Sequence, residues 1–362
     1  MSLGHGGNVE EIKRKFGINE KIYDFSANIN PLGINKKVKN EMIKALDKIE
    51  SYPDITYHNL KEGIKKFEEV DYENIILGNG AAEVIFNISR GLKPKKAILM
   101  APTFSEYEDS LRSIDCKIEY YKMDKDFLIK EDFLEKLTED IDITFICNPN
   151  NPTGKLTSKR LLLDILERGV KNNITIVVDE SFLDFLENKN EYSLVKYIEK
   201  YNNLIVVKSL TKFFAFPGIR LGYGLTKNKD YIEKINKISI AWNVNTIALY
   251  GGVQALKEEA YMRASREYLR EEKNFLLKSL EKFEELEIYS GSVNYIFFKV
   301  KIDIDLKTAL LNKNILIRSC ENYINLEKGY YRIAVRRREE NKILIQALEQ
   351  IFGKRRDKWK RE

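Results

Sequence analysis

Cysteine and histidine are both scarce in this chain of 362 residues, which has three cysteines (Cys116, Cys147, Cys320) and two histidines (His5, His58). The thiols are scattered and odd in number, with no Cys-x-x-Cys pair. Neither a disulfide framework nor a structural zinc site is expected, and the chain reads as cytoplasmic and metal-free. No apolar run approaches the roughly 20 residues that span a bilayer, and the opening MSLGHGGNVEE lacks a signal-peptide core. Prolines number only seven, and there is no Pro-rich linker, repeat or low-complexity tract. The formal charge of +6 is spread along the whole length, too weakly for a dedicated nucleic-acid binder. The one dense basic patch, Lys354 to Glu362, reads as a solvated helix end. Neither nucleic acid nor membrane is expected as a partner.

What remains is ample core material, 43% hydrophobic against 32% charged, in a length suited to about two domains. Six short apolar runs alternate with amphipathic stretches: NIILGN (74–79), KAILMAP (96–102), ITFICNP (143–149), ITIVVDE (174–180), LIVVKSL (204–210) and LGYGL (221–225). Near-continuous apolar strands separated by helices predict an α/β fold, with a mostly parallel sheet covered on both faces. The ends differ. Residues 36–49 and 258–284 read as charged helices, and VNYIFFKV (293–300), NILIRSC (314–320) and YYRIAVR (330–336) as strands. We therefore expect segment 1–48 to join 256–362 in a small α+β domain around a large domain, 49–255.

In such sheets ligands bind beyond the carboxyl ends of the strands. After NIIL stands Gly78-Asn79-Gly80-Ala81-Ala82-Glu83, small residues opening a helix, as a phosphate cradle requires. After ITFIC stands the rigid, amide-rich turn Asn148 to Gly154. After ITIVV stands Asp179, a buried acid that needs a cationic partner or serves as a helix cap. After LIVVK come Ser209, Thr211 and Lys212, then Arg220. A lysine partly buried between hydroxyls and an aromatic run has a lowered pKa and becomes a nucleophile suited to a Schiff base.

Together NGAAE, CNPNNPTG, VVDESF, SLTK and PGIRLGY resemble the fold-type I, class I/II aminotransferase family of pyridoxal 5'-phosphate enzymes. The resemblance covers essentially the whole chain. It implies that Lys212 forms the Schiff base with the cofactor and that Asp179 pairs with the pyridine nitrogen. Asn151 would bond the ring 3' oxygen and Phe104 would stack on the ring. Gly80, Ala81, Ala82, Ser209, Thr211 and Arg220 would hold the phosphate. Tyr52 would reach the cofactor of a neighbouring subunit, which implies a homodimer.

Within that family HGGN (5–8), DFSANINPLG (24–33), ILIRSCENY (315–323) and YYRIAVR resemble the threonine-phosphate decarboxylase branch. So does Phe182, which stands where many relatives carry a tyrosine. The branch implies a small phosphorylated amino acid as substrate, with His5, Asn151, Arg318, Arg332 and Arg336 binding its anionic groups. Arg337 and Arg338 read as a solvated helix start. The alternative is an aminotransferase acting on histidinol phosphate or an aromatic amino acid. A third reading, a catalytically silent binding protein, sits poorly with Lys212 beside an intact Asp179.

Overall fold

The computed structural model describes residues 6–359, with side chains described to Gly353. Its strands, in chain order, begin with β1 (Tyr23–Asp24), β2 (Ile75–Gly78), β3 (Lys96–Ala101) and β4 (Lys117–Lys122). Next come β5 (Ile143–Cys147), β6 (Thr175–Asp179), β7 (Leu204–Ser209) and β8 (Gly222–Leu225). The last are β9 (Leu286–Tyr289), β10 (Tyr295–Val300), β11 (Ile315–Leu316), β12 (Arg318–Ser319) and β13 (Tyr330–Ala334).

Seven of these form one sheet in the order β2-β8-β7-β6-β5-β3-β4. The central pairs run parallel, whereas β8 runs antiparallel to both neighbours. Strands β5, β6 and β7 are buried along their whole length. Their apolar runs have no polar alternation because helices cover both faces. Each apolar run read from the sequence is a strand here. The edge strand β4 (KIEYYK) escaped that reading because an edge exposed on one side tolerates charge.

The second sheet, β12-β13-β10-β9, is antiparallel. A third pairs β1 with β11 in parallel, so the N-terminal segment lies beside the C-terminal part of the chain. NILIRSC, expected as one strand, breaks at Ile317 into β11 and β12, which belong to different sheets. The expected helix 36–49 ends at Ala45 and tightens into a 3₁₀ turn, Leu46–Lys48. Among the described residues no helix is long and apolar enough to cross a membrane, and no group of His, Cys, Asp and Glu could hold a metal ion.

Candidate active site

Helix Ala81–Leu92 starts directly after β2, at Gly80 with φ 87°. Its first backbone N–H groups have no partner inside the helix, which makes this end an anion site. A Cβ on Gly80 would lie 2.5 Å from Arg220 Nη2, and one on Gly222 would run into the Ala81 backbone nitrogen. Only bare backbone allows this approach. The Ser209 and Thr211 hydroxyls lie 2.9 Å apart at the end of β7. Arg220 is held in the left-handed region at φ 59°, with Nη1 donating to the Pro217 carbonyl at 3.3 Å. Small backbone, two hydroxyls and an exposed guanidinium suit a phosphate.

Asp179 ends β6 and is 3% exposed. Its Oδ2 accepts a hydrogen bond from the Tyr107 hydroxyl at 2.7 Å and its Oδ1 one from the Ser181 N–H at 2.8 Å. The Ser181 hydroxyl and the Asn148 amide nitrogen are buried without a partner. Lys212 follows on the short helix Leu210–Phe213, its Nζ 4.9 Å from the centre of the Phe182 ring. Burial lowers the pKa of this amine, against the opposing pull of Asp179. Phe104 caps helix Ser105–Arg112 and meets Tyr107 edge-on at 5.6 Å. A carboxylate and a depressed amine beside an anion cradle suit a ligand with a phosphate at one end and a protonated ring nitrogen at the other.

Two of the three asparagines in the turn are structural. Asn148 Oδ1 accepts from Thr157 N–H, and Asn150 bonds Pro102, Thr153 and Thr103. Asn151 instead accepts from Arg332 Nη1. Arg332 also donates through Nη2 to the Ser26 carbonyl at 3.0 Å and packs 5.3 Å over the Tyr295 ring. With the Asn28 amide in its better orientation, the Asn28 oxygen accepts from Arg332 Nε at 3.2 Å. Arg318 stands directly opposite Arg332 in the β12–β13 pairing. It donates to the Ser319 carbonyl and to Asn322 Oδ1. The two guanidiniums are 8% and 5% exposed, and no carboxylate pairs with either among the described residues. Burying two adjacent cations without an acid is costly unless an anion arrives to share the site. Lys212, Phe182, Tyr295 and Arg332 form one continuous wall.

Arg336 and Tyr52 are not among the residues that form that wall. Arg336 pairs with Glu340 at 3.5 Å, and its Nε is buried without a partner. Arg337 and Arg338 are not simply solvated. Arg337 donates to the Pro31 and Leu32 carbonyls, and Arg338 forms an ion pair with Glu272 at 2.9 Å. Tyr52 is 80% exposed and stacks on Trp242 at 4.5 Å. His5 lies outside the described residues, but Gly7 N–H donates to Ser26 Oγ at 2.8 Å. The chain just after His5 thus reaches the segment whose backbone meets Arg332. Sequence reasoning missed Tyr107 and Asn28. Tyr107 sits three residues after Phe104, and Asn28 lies inside the DFSANINPLG motif.

Three comparisons bear on this geometry. Residues 20–348 match the family model described as "Aminotransferase class I and II". The chain is 38% identical to a threonine-phosphate decarboxylase of Salmonella typhimurium, over 97% of each protein. It is 36% identical to an adenosylcobalamin biosynthesis bifunctional protein of Leptospira interrogans, over 96% of this chain and 41% of that one. The crystal structure of a histidinol-phosphate aminotransferase from Clostridium acetobutylicum superimposes with a TM-score of 0.86 at 30% identity, covering 91% of this chain and 99% of that one.

Proposed function

The chain belongs to the aminotransferase class I and II family and is a pyridoxal 5'-phosphate enzyme; we propose that it decarboxylates L-threonine O-3-phosphate. The products are CO₂ and (R)-1-amino-2-propanol O-2-phosphate, a building block for cobalamin. The observation that carries this reading is a pair of buried arginines with no acid partner among the described residues: Arg332, on the wall shared with Lys212, and Arg318, opposite it on the next strand. A substrate with both a carboxylate and a phosphate supplies the anions such a pair needs, and the guanidinium fork matches either group.

When bound, pyridoxal phosphate withdraws electrons from the substrate Cα while its ring nitrogen stays protonated. The Ala81 and Ala82 amides, Ser209, Thr211 and Arg220 hold its phosphate. Lys212 would hold its aldehyde carbon, Asp179 its ring nitrogen and Asn151 its 3' oxygen, and Phe104 would cover one face. With the cofactor bound, a Cα bond that the protein holds perpendicular to its ring would be the one weakened. Arg318 and Arg332 fix the two anionic ends of the substrate, and so decide which bond takes that position. Lys212, set free when the substrate's amino group takes its place and carrying the proton that group gives up, would return that proton to Cα where the carboxylate stood. Phe182 gives this wall a ring without a hydroxyl beside Lys212.

The molecule works as a homodimer in the cytoplasm. Ile43, Leu46, Ile49, Tyr52, Ile55, Ile240 and Trp242 are exposed large hydrophobics on neighbouring segments, a face suited to a second copy of the chain. Tyr52 on that face would reach the partner's cofactor. The three cysteines are unpaired and buried. The test is incubation with pyridoxal phosphate and L-threonine O-3-phosphate, measuring CO₂ and the amino group separately. Release of CO₂ with the amine retained supports the decarboxylase. Amino transfer from histidinol phosphate to 2-oxoglutarate without CO₂ would replace it with the transaminase that the Clostridium structure represents.

A further inference from the structure

We propose that Tyr107 is a positioning residue that holds the Asp179 carboxylate aimed at the cofactor ring nitrogen, so that the shared proton stays on the ring. The inference rests on the reading of Asp179 as the partner of the ring nitrogen and adds a residue that reading does not contain. Tyr107 is fully buried, and its hydroxyl donates to Asp179 Oδ2 at 2.7 Å. Its ring is fixed on two sides, stacked on Phe145 at 5.2 Å and 12° and met edge-on by Phe104. The donor therefore cannot swing away.

A carboxylate 3% exposed has little water to stabilise its charge. Two donors remain, the Ser181 amide on one oxygen and the Tyr107 hydroxyl on the other. Hydrogen bonds to the charged form favour it. Remove one, and the carboxylate keeps a single protein donor, so its charge draws more strongly on the proton of the ring nitrogen. The ring then loses the charge that draws electrons from Cα. A phenol suits this task because it remains a donor. Burial pushes its pKa well above the ordinary value, and Asp179 beside it adds to the shift. Cys147, opposite Asp179 on the next strand, is likewise held neutral as burial pushes its thiol up to about 12.

The test uses the holoenzyme loaded with pyridoxal phosphate carrying ¹⁵N at the ring nitrogen. The nitrogen's NMR shift reports where the proton sits, independently of turnover. Tyr107→Phe is expected to bind cofactor and to move that signal toward the unprotonated value at neutral pH. Its kcat should fall about 10- to 100-fold, the range for one hydrogen bond to a charge, with KM little changed. Should Tyr107→Phe fail to fold, 3-fluorotyrosine at position 107 provides a nearly isosteric second variant. Its stronger donor is expected to hold the signal at, or beyond, the wild-type protonated position. An unchanged ring signal in Tyr107→Phe, or a shift toward the unprotonated value with fluorotyrosine, overturns the proposal. An unprotonated ring nitrogen in the wild-type enzyme overturns the Asp179 reading itself, and this inference with it.

Discussion

Replacing Arg332 with lysine keeps the charge and removes the fork, and so separates substrate recognition from simple charge balance. Arg332 spends different nitrogens on different partners: Nη2 on the Ser26 carbonyl, Nη1 on Asn151, and Nε on Asn28. A single ammonium cannot reach all three positions and also present two parallel donors to an anion. One hydrogen bond to a charged group is worth about 1.5–3 kcal/mol, so losing one of a bidentate pair should raise KM by about 10- to 150-fold. The fold should lose a similar amount, because one backbone or amide contact is lost as well. Steady-state kinetics with L-threonine O-3-phosphate gives the first quantity and a urea titration the second. The reasoning fails if stability falls as expected while KM, and the affinity for a competing phosphonate analogue, stay at wild-type values. Arg332 would then join segments of the fold without touching substrate.

Other perturbations test other parts of the structure. Gly222→Ala would push a methyl group into the Ala81 amide, and overpacking of about 1–3 kcal/mol should weaken cofactor binding about 5- to 150-fold. A fluorescence titration with pyridoxal phosphate checks this, and wild-type affinity would count against the cradle. Lys208 is 1% exposed and lies 3.1 Å from Glu180 and 3.6 Å from Glu68. Burial alone would lower its pKa, but Glu68, Asp184 and Glu180 raise it instead. Lys208→Met strands buried carboxylates and should cost about 3–5 kcal/mol in urea unfolding, whereas an unchanged midpoint would contradict the network. Burial pushes Lys273 down to about 7, and its amine donates to the Gly291 and Val293 carbonyls. The unfolded chain then holds that proton more tightly, so this group's contribution to stability rises between about pH 7 and pH 10. Melting temperatures across that range should rise less in Lys273→Met. An aspartate at Ile240, 74% exposed on the proposed dimer face, should shift sedimentation toward the monomer.

Much of this architecture was legible in the sequence because its signals are local. The runs ITFIC, ITIVVD and LIVVKS are buried on both sides, so each carries a nearly continuous apolar pattern that needs no tertiary context. The residues after each run inherit their place from the strand, which is why Asp179, Ser209 and Lys212 could be marked in advance. Tyr107 could not. Its role depends on a contact 72 residues away in the chain, and a tyrosine at the third position of a short helix reads as core. The split of NILIRSC was equally hidden, since pairing partners rather than composition decide which sheet a short strand joins. Arg337 and Arg338 were misread for the same reason: their carbonyl and carboxylate partners lie on segments far away in sequence.

The contacts of Arg332 set an order in time. Ser26, Asn151 and Arg332 come from the start, middle and end of the chain. A ribosome that has made residues 1–300 has already produced Asp179, Lys212 and the residues proposed to hold a phosphate, but neither Arg318 nor Arg332. Ser26 and Asn151 therefore wait for Arg332, and the proposed anion pocket is complete only once synthesis has reached β13.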